Sequence, residues 1–226
     1  MTSMHRKSSR FLSACCLLLA FFPVAHAGAA GDAVVSFRKV FKGSVPEFVE
    51  IRIGQSGKCT YDIRQLNETA DAEEFDVTPA LREKIFSLAA ELNNFKDQDI
   101  DVHRKIANLG EKTLRYEKDG LVNETKFNYT LNNAGGQLMQ IFEGLARQQD
   151  HLQTLRRTMR YDRLGVNDAL VNLQEDFDNK LLPEPEVLLP VLEQIGNDSR
   201  IVEIARTRAR AIAAKIRGVK APAGTS

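Results

Sequence analysis

The sequence predicts an α+β fold in which an antiparallel sheet of about four to five strands packs against two amphipathic helices and is followed by a C-terminal helical segment. Two stretches, 48–64 and 110–130, alternate apolar and polar side chains on either side of a turn, which is the pattern of β-hairpins. Each hairpin is followed by an apolar stripe of helical period, at 78–95 and at 134–160. Because a hairpin cannot bury its apolar face alone, we expect the helices to cover one face of the sheet.

The hairpin at 110–130 carries the clearest local signal. Leu114 and Tyr116 alternate with polar residues before the turn, and Phe127 does so after it. Asp119-Gly120 separates the two runs, and such a turn needs the positive φ angles that glycine adopts freely. We expect this hairpin to form the middle of the sheet, paired with the hairpin at 48–64.

The remaining strands come earlier in the chain. Residues 34–41 contain a possible short strand, and 48–53 and 58–64 form a hairpin around the turn at 54–57. Residues 66–76 are polar and acidic, and we interpret them as a loop.

Helix boundaries are marked by capping residues. Thr78 is an expected N-cap, with Pro79 at the first helical position. The helix at 134–160 has a heptad-like stripe that is also compatible with a coiled coil. However, Gln148 and Asp162 occupy the partner positions of that stripe, so we expect the helix to pack on the sheet.

The C-terminal part is predicted to be helical from 161 to 217. Pro190 should kink a short helix at 186–195, and Asp198 is a plausible N-cap for a last helix at 201–217. Leu189-Pro190, the Asp198 turn and the Ile/Ala stripe that follows make 186–217 similar to one HEAT-type helical hairpin. No second copy occurs at the required period, so we expect a docked hairpin and no solenoid.

Residues 1–27 are predicted to be a signal peptide. Basic residues precede the uncharged apolar run Phe11–Phe22, and Ala25-His26-Ala27 is a small-x-small cleavage site. An uncleaved anchor is the alternative, but the run is short for a bilayer. With this leader, the element order resembles that of uncharacterised exported bacterial proteins with a small antiparallel-sheet domain; the resemblance transfers no catalytic residue.

The resulting domain organisation has four parts. Residues 28–160 form the sheet and helix domain, 161–217 form a helical subdomain, and 218–226 form a disordered tail after the leader at 1–27. No later stretch is apolar enough to cross a membrane. Cleavage would leave Cys59 as the one cysteine, so an intramolecular disulfide is excluded.

A candidate cation site lies after the first helix. Four potential ligands alternate along the chain: Asp97, Asp99, Asp101 and His103. The pattern is similar to the start of a calcium loop, but Val102 stands where that loop needs glycine and Asn108 where it needs a bidentate glutamate. We therefore interpret the stretch as a solvated acidic loop, and we expect no metal and no cofactor.

Catalytic signals are weak. Gly54-Gln55-Ser56-Gly57 is one residue short of a nucleophile elbow and joins two strands. A dispersed hydrolase site could combine Cys59 with His103 or His151 and an acid such as Asp99. Cys59 is instead expected to be buried as a small apolar residue, since it aligns with the inner face of its strand.

The net charge of the chain is near neutral, and this argues against nucleic-acid binding. The charged residues are nevertheless unevenly distributed along the sequence. Arg206, Arg210 and Arg217 share the outer stripe of the last helix. This stripe could contact an anionic envelope component or an acidic protein. The alternative is a solvated helix face, or attraction to the acidic stretch 68–101.

These observations predict an exported protein, periplasmic or secreted, with a non-enzymatic binding or protein-interaction role toward an unknown partner, present as a monomer or a weak homodimer. An exported hydrolase with a dispersed site is one alternative. A structural or assembly protein that uses the long helix at 134–160 is the other.

Overall fold

A computed structural model describes Met1 and residues 31–218 of the chain. The predicted signal peptide, beyond Met1, and the predicted tail, beyond Gly218, lie outside the described residues. Residues 31–218 belong to one compact unit. Its core consists of two hydrophobic clusters, one under the sheet and one among the C-terminal helices.

The sheet confirms the predicted α+β class with antiparallel pairing, but it has six strands where four to five were expected. Their spatial order is β4-β3-β2-β1-β5-β6, and every neighbouring pair is antiparallel. The strands are β1 (Val34–Val40), β2 (Phe48–Gly54), β3 (Cys59–Arg64), β4 (Glu73–Phe75), β5 (Glu111–Lys118) and β6 (Leu121–Phe127).

The additional strand is β4, within the segment predicted to be a loop. It pairs with β3 through the register Tyr61↔Glu73 and Cys59↔Phe75. The Tyr61 hydroxyl donates to Glu73 at 2.7 Å, and the Tyr61 ring meets the edge of Phe75 at 5.6 Å between centroids. Three residues are too few to give a period-two signal, so tertiary contacts decide this strand.

The predicted hairpin at 110–130 is confirmed as β5 and β6, and its turn residues Asp119 and Gly120 have φ angles of 50° and 80°. Its expected place in the middle of the sheet is wrong, because β6 is an edge strand. The two middle strands are β2 and β1, and in β1 Phe37 pairs with Ile51 on one side and with Leu114 on the other. The expected pairing between the two hairpins is also wrong, because β1 lies between them. No local pattern indicates which of several apolar strands pairs on both sides.

Five α-helices and two 3₁₀ turns complete the described part. The helices are α1 (Pro79–Glu91), α2 (Asn133–Tyr161), α3 (Val166–Asp178), α4 (Leu189–Asn197) and α5 (Glu203–Ile216), and the 3₁₀ turns are Asn93–Phe95 and Pro185–Leu188. The predicted cap is confirmed, since the Thr78 side chain accepts a hydrogen bond from the amide of Leu81 at 3.2 Å.

Helices α1 and α2 cover one face of the sheet, as expected from their stripes. Phe37 of β1 stacks on Phe142 of α2, with centroids 5.6 Å apart. Leu138 and Leu145 are buried in the cluster under the sheet, while Leu155 is buried among the C-terminal helices. The heptad-like stripe of α2 is therefore packed within the chain, and α2 connects the two clusters.

Two expectations about the C-terminal helices are wrong. Pro190 lies in the first turn of α4, where its missing amide hydrogen needs no partner, so it does not kink a helix interior. Asp198 follows α4, and α5 begins only at Glu203 with no side-chain cap. The Asp198 carboxylate instead binds Arg200 in the turn between α4 and α5.

The segment between α3 and α4 packs closely on α2 at Gly144. A Cβ atom at Gly144 would lie 2.8 Å from the Leu181 carbonyl oxygen and 2.8 Å from Pro183. Such distances are below normal contact, so only glycine permits this approach.

Glu184 fastens the same segment to α1. Its carboxylate, in a residue that is only 6% exposed, accepts the Thr78 amide at 3.0 and 3.2 Å and also the Thr78 hydroxyl. The Glu184 amide donates to the side-chain oxygen of Gln148 on α2 at 3.1 Å. The carboxylate of Glu184 thereby joins this segment to the N-terminus of α1, and its backbone amide joins the segment to the middle of α2.

Candidate functional site

A cleft of about 360 Å³ opens between the loop that joins β1 to β2 and the middle of α2. We call it the α2 cleft. Strands β1, β2 and β3 form its floor, and α2 and α3 form its far wall. It is lined by Phe37, Lys39, Phe41, Ser44, Val45, Pro46, Val49, Ile63, Glu143, Ala146, Arg147, Asp150, His151 and Asp176.

The floor of the α2 cleft is apolar because alternate residues of a strand share one face. Phe37, Lys39 and Phe41 alternate along and beyond β1, so all three line the cleft. Val49 of β2 pairs with Lys39 on one side and with Ile63 of β3 on the other. The sheet therefore presents an apolar floor with one lysine at its edge.

The wall contributed by α2 carries charge. Glu143, Arg147, Asp150 and His151 are spaced at three and four residues, which places them on one face of the helix. The Lys39 ammonium lies 3.0 Å from a Glu143 carboxylate oxygen, and both side chains are about one-third exposed. This ion pair bridges the sheet and α2 at one end of the cleft.

A second charged contact closes the other end. His151 Nε2 lies 2.7 Å from Asp176 Oδ2 of α3, and Arg147 Nε lies 3.6 Å from the same oxygen. The His151 side chain is only 10% exposed. Asp176 therefore orients the imidazole and neutralises the guanidinium beside it.

The loop that forms the rim is held by its own hydrogen bonds. Glu47 accepts the amide of Gly43 at 2.7 Å and the amide of Leu66 at 3.2 Å, and these two donors hold the pKa of Glu47 below its usual value. The Ser44 hydroxyl lies 2.7 Å from the Phe41 carbonyl oxygen. The rim is thus an ordered wall of the α2 cleft.

The charges of the α2 cleft do not balance. Lys39 and Arg147 are its permanent cations, while Glu143, Asp150 and Asp176 are its carboxylates. Lys39 and Arg147 each pair with one acid. Among the described residues, no cation lies within ion-pair distance of Asp150, which is exposed at the cleft wall. The cleft therefore has one carboxylate in surplus.

The dispersed hydrolase candidates are placed apart in the fold. His151 lines the α2 cleft, whereas His103 lines a groove beside β6. Cys59 is buried, its Sγ lies 3.5 Å from the Gly57 carbonyl oxygen, and burial raises the pKa of its thiol. Neither groove is lined by Cys59, which behaves as a core residue.

The candidate cation ligands Asp97, Asp99, Asp101 and His103 lie in the irregular segment before β5. His103 Nε2 lies 2.7 Å from Asp99, and this hydrogen bond raises the pKa of His103. Asp101 accepts the amides of Asn128 at 2.8 Å and of His103 at 3.0 Å. Within residues 31–218 no three such side chains are arranged to hold a metal ion.

The predicted partner-binding arginines are Arg206, Arg210 and Arg217 of the α5 region. Arg206 and Arg210 both pair with Glu203, the latter at 2.7 Å. Arg217 pairs with Glu193 of α4. The three arginines thus share two acids of the same helical hairpin, which leaves one net positive charge for a partner.

Sequence reasoning did not identify the α2 cleft. The spacing of Glu143, Arg147 and His151 along α2 was visible as a polar helix face. The sequence did not indicate that Lys39 and Asp176 belong to the same site. Lys39 lies 104 residues from its partner Glu143, and Asp176 lies 25 residues from its partner His151. Only the tertiary fold brings them to the same cleft.

Comparison with known proteins gives no family for the chain. No protein-family model matches it, and no curated protein matches it significantly. Within residues 31–218, the helices are too short or too polar to cross a bilayer. Function must therefore be argued from the α2 cleft itself.

Proposed function

We propose that the chain is an exported, non-enzymatic binding protein that holds a small amphipathic ligand in the α2 cleft. The observation that carries this proposal is the concave cleft of about 360 Å³ with an apolar floor and a charged wall. Ligand sites typically combine these two properties, since apolar contact provides affinity and a few polar groups fix orientation. The predicted signal peptide supports export.

The surplus carboxylate favours a ligand with a cationic group. Glu143 and Asp176 are matched by Lys39 and Arg147, whereas Asp150 is not matched among the described residues. An ammonium group placed near Asp150 would gain a charge-assisted contact without breaking an existing pair. The apolar part of the ligand would lie on the floor of β1–β3.

The proposal is tested with two small probes of similar shape and opposite charge, phenethylamine and phenylacetate. Isothermal titration should give a lower dissociation constant for phenethylamine than for phenylacetate. Asp150→Asn should reduce that preference by roughly two- to fivefold, which corresponds to one exposed ion pair. Equal affinity for both probes, or no binding of either at millimolar concentration, contradicts the proposal.

Hydrolysis is a second candidate function, favoured by the His151–Asp176 pair. An imidazole oriented by a carboxylate can act as a general base, and the Ser44 hydroxyl lines the same cleft. The test is the hydrolysis of p-nitrophenyl acetate by the wild type, by His151→Asn and by Ser44→Ala. A rate that neither substitution lowers removes this candidate.

Assembly through α2 is the remaining alternative. Leu138 and Leu145, two residues of its stripe, are fully buried within the chain. A helix that uses its apolar stripe internally has little left for a partner. Size-exclusion chromatography with light scattering tests this alternative, and a concentration-independent monomer removes it.

A further inference from the structure

A second charged cleft, of about 370 Å³, lies where the end of α2 meets the turn between α4 and α5. We call it the arginine cleft. It is lined by Arg156, Met159, Arg160, Arg163, Gln194, Asp198 and Arg200. It shares no lining residue with the α2 cleft, so the two sites can be tested separately.

The arginine cleft has a large positive surplus. Its charged residues are four arginines and one acid, Asp198. That acid is already bound to Arg200, with Asp198 Oδ2 at 2.7 Å from Nη2 and Asp198 Oδ1 at 2.9 Å from Nε. Hydrogen bonds from Arg200 hold the pKa of Asp198 at about 2, so this pair persists across the neutral range.

The other three arginines form no ion pair in the described part of the chain. No carboxylate of residues 31–218 lies within ion-pair distance of Arg156, Arg160 or Arg163. Arg160 lies 5.2 Å above the ring of Tyr161, which orients its side chain. This distinguishes the arginine cleft from α5, where Arg206 and Arg210 both pair with Glu203.

The negative end of the α2 dipole stabilises the arginines at its C-terminus, but it does not identify the ligand that they bind. Cations are stabilised near a helix C-terminus, and Arg160 lies in the last turn of α2. However, Arg156 and Arg160 lie one turn apart on α2 and repel each other. An anion between the guanidinium groups would remove that repulsion.

The chemistry of guanidinium selects the class of anion. Its planar set of N–H donors matches the oxygens of phosphate in pairs, and this geometry favours phosphate over monatomic anions. The exposed arginines at the end of α2 and the side-chain amide of Gln194 on α4 provide donors to the same cleft. We propose that the arginine cleft binds a phosphate group, either free or carried by a lipid headgroup.

The test uses the full chain with inorganic phosphate and, separately, with phosphatidylglycerol vesicles at constant ionic strength. Wild type should bind inorganic phosphate with a dissociation constant of about 1 mM or lower. Arg160→Gln with Arg163→Gln should weaken binding at least about tenfold. The control is Arg104→Gln with Lys105→Gln, which removes the same charge from exposed residues outside the cleft.

Each outcome decides the proposal. Binding of free phosphate without co-sedimentation on vesicles supports it and assigns a soluble phosphate. Co-sedimentation that depends on Arg160 and Arg163 supports it and assigns a lipid headgroup. If neither probe binds, or if the control loses as much affinity as the cleft variant, the proposal is overturned. Thermal melting of each variant, followed by circular dichroism, establishes that the variants are folded.

Discussion

Replacing Glu184 by alanine should destabilise the fold more than any exposed substitution nearby. Its carboxylate accepts the amide and the hydroxyl of Thr78, and the residue is only 6% exposed. In Glu184→Ala both donors lose their partner, and water replaces part of it because Thr78 is exposed. The change also loosens the segment that connects α3 to α4.

The magnitude follows from the number of bonds and their burial. A hydrogen bond to a charged group contributes about 1.5–3 kcal/mol, and the desolvation of the carboxylate offsets part of this. Because water can replace part of the lost contact, we expect Glu184→Ala to lower the free energy of unfolding by about 2 kcal/mol. For a chain of this size that corresponds to roughly 4–8 °C in Tm. Glu184→Gln keeps one acceptor and should cost about 1 kcal/mol.

Urea denaturation followed by circular dichroism measures these differences. The matched control is Glu186→Ala, because Glu186 lies two residues after Glu184, in the 3₁₀ turn Pro185–Leu188, with an exposed side chain. The control should remain within about 0.5 kcal/mol of wild type. A Glu184→Ala variant as stable as this control would refute the assignment of Glu184 as the joint between the two parts of the core.

Three further predictions concern single sites. Burial, together with a hydrogen bond to a carboxylate, raises the pKa of Tyr61 to about 12. The folded state therefore favours the neutral phenol. Its contribution to the free energy of unfolding is complete below pH about 10 and is lost as the pH rises through about 12. Alkaline spectrophotometric titration should show a late tyrosine step that Tyr61→Phe removes. Asp99→Asn should lower the pKa of His103 toward its ordinary value of about 6.5, which proton NMR measures. An unchanged pKa would contradict the hydrogen bond between His103 and Asp99. In Gly144→Ala the new methyl group would meet two atoms at 2.8 Å, and the free energy of unfolding should fall by about 1–3 kcal/mol. In Gly136→Ala, the control, the methyl group meets open space, and the free energy of unfolding should rise by about 0.5–1 kcal/mol. Equal effects of the two substitutions in urea denaturation would contradict the close packing on α2.

Local chemistry was sufficient to predict most of the helices and strands, with the exception of β4. The Asp119-Gly120 turn requires positive φ, and both residues adopt it. Thr78 and Pro79 start α1 as predicted, because capping depends only on neighbouring residues. These features are decided within a few residues of sequence.

Features that depend on distant residues could not be predicted in this way. The central place of β1 results from pairing with both β2 and β5, and the short strand β4 is fixed by contacts to β3. The α2 cleft requires Lys39 and Asp176 to approach α2 from different parts of the chain. The arginine stripe of α5 was visible, but its pairing with Glu203 and Glu193 was not.

The most direct measurement of the central claim is an amide chemical-shift map of phenethylamine binding. Ala146 lines the α2 cleft, so Ala146→Trp should fill it, whereas Ala214→Trp on α5 adds the same side chain away from the cleft. The account predicts shifts in the loop 41–47 and in residues 143–151 for the wild type and for Ala214→Trp, and none for Ala146→Trp. Shifts centred elsewhere, or shifts that persist in Ala146→Trp, would contradict it.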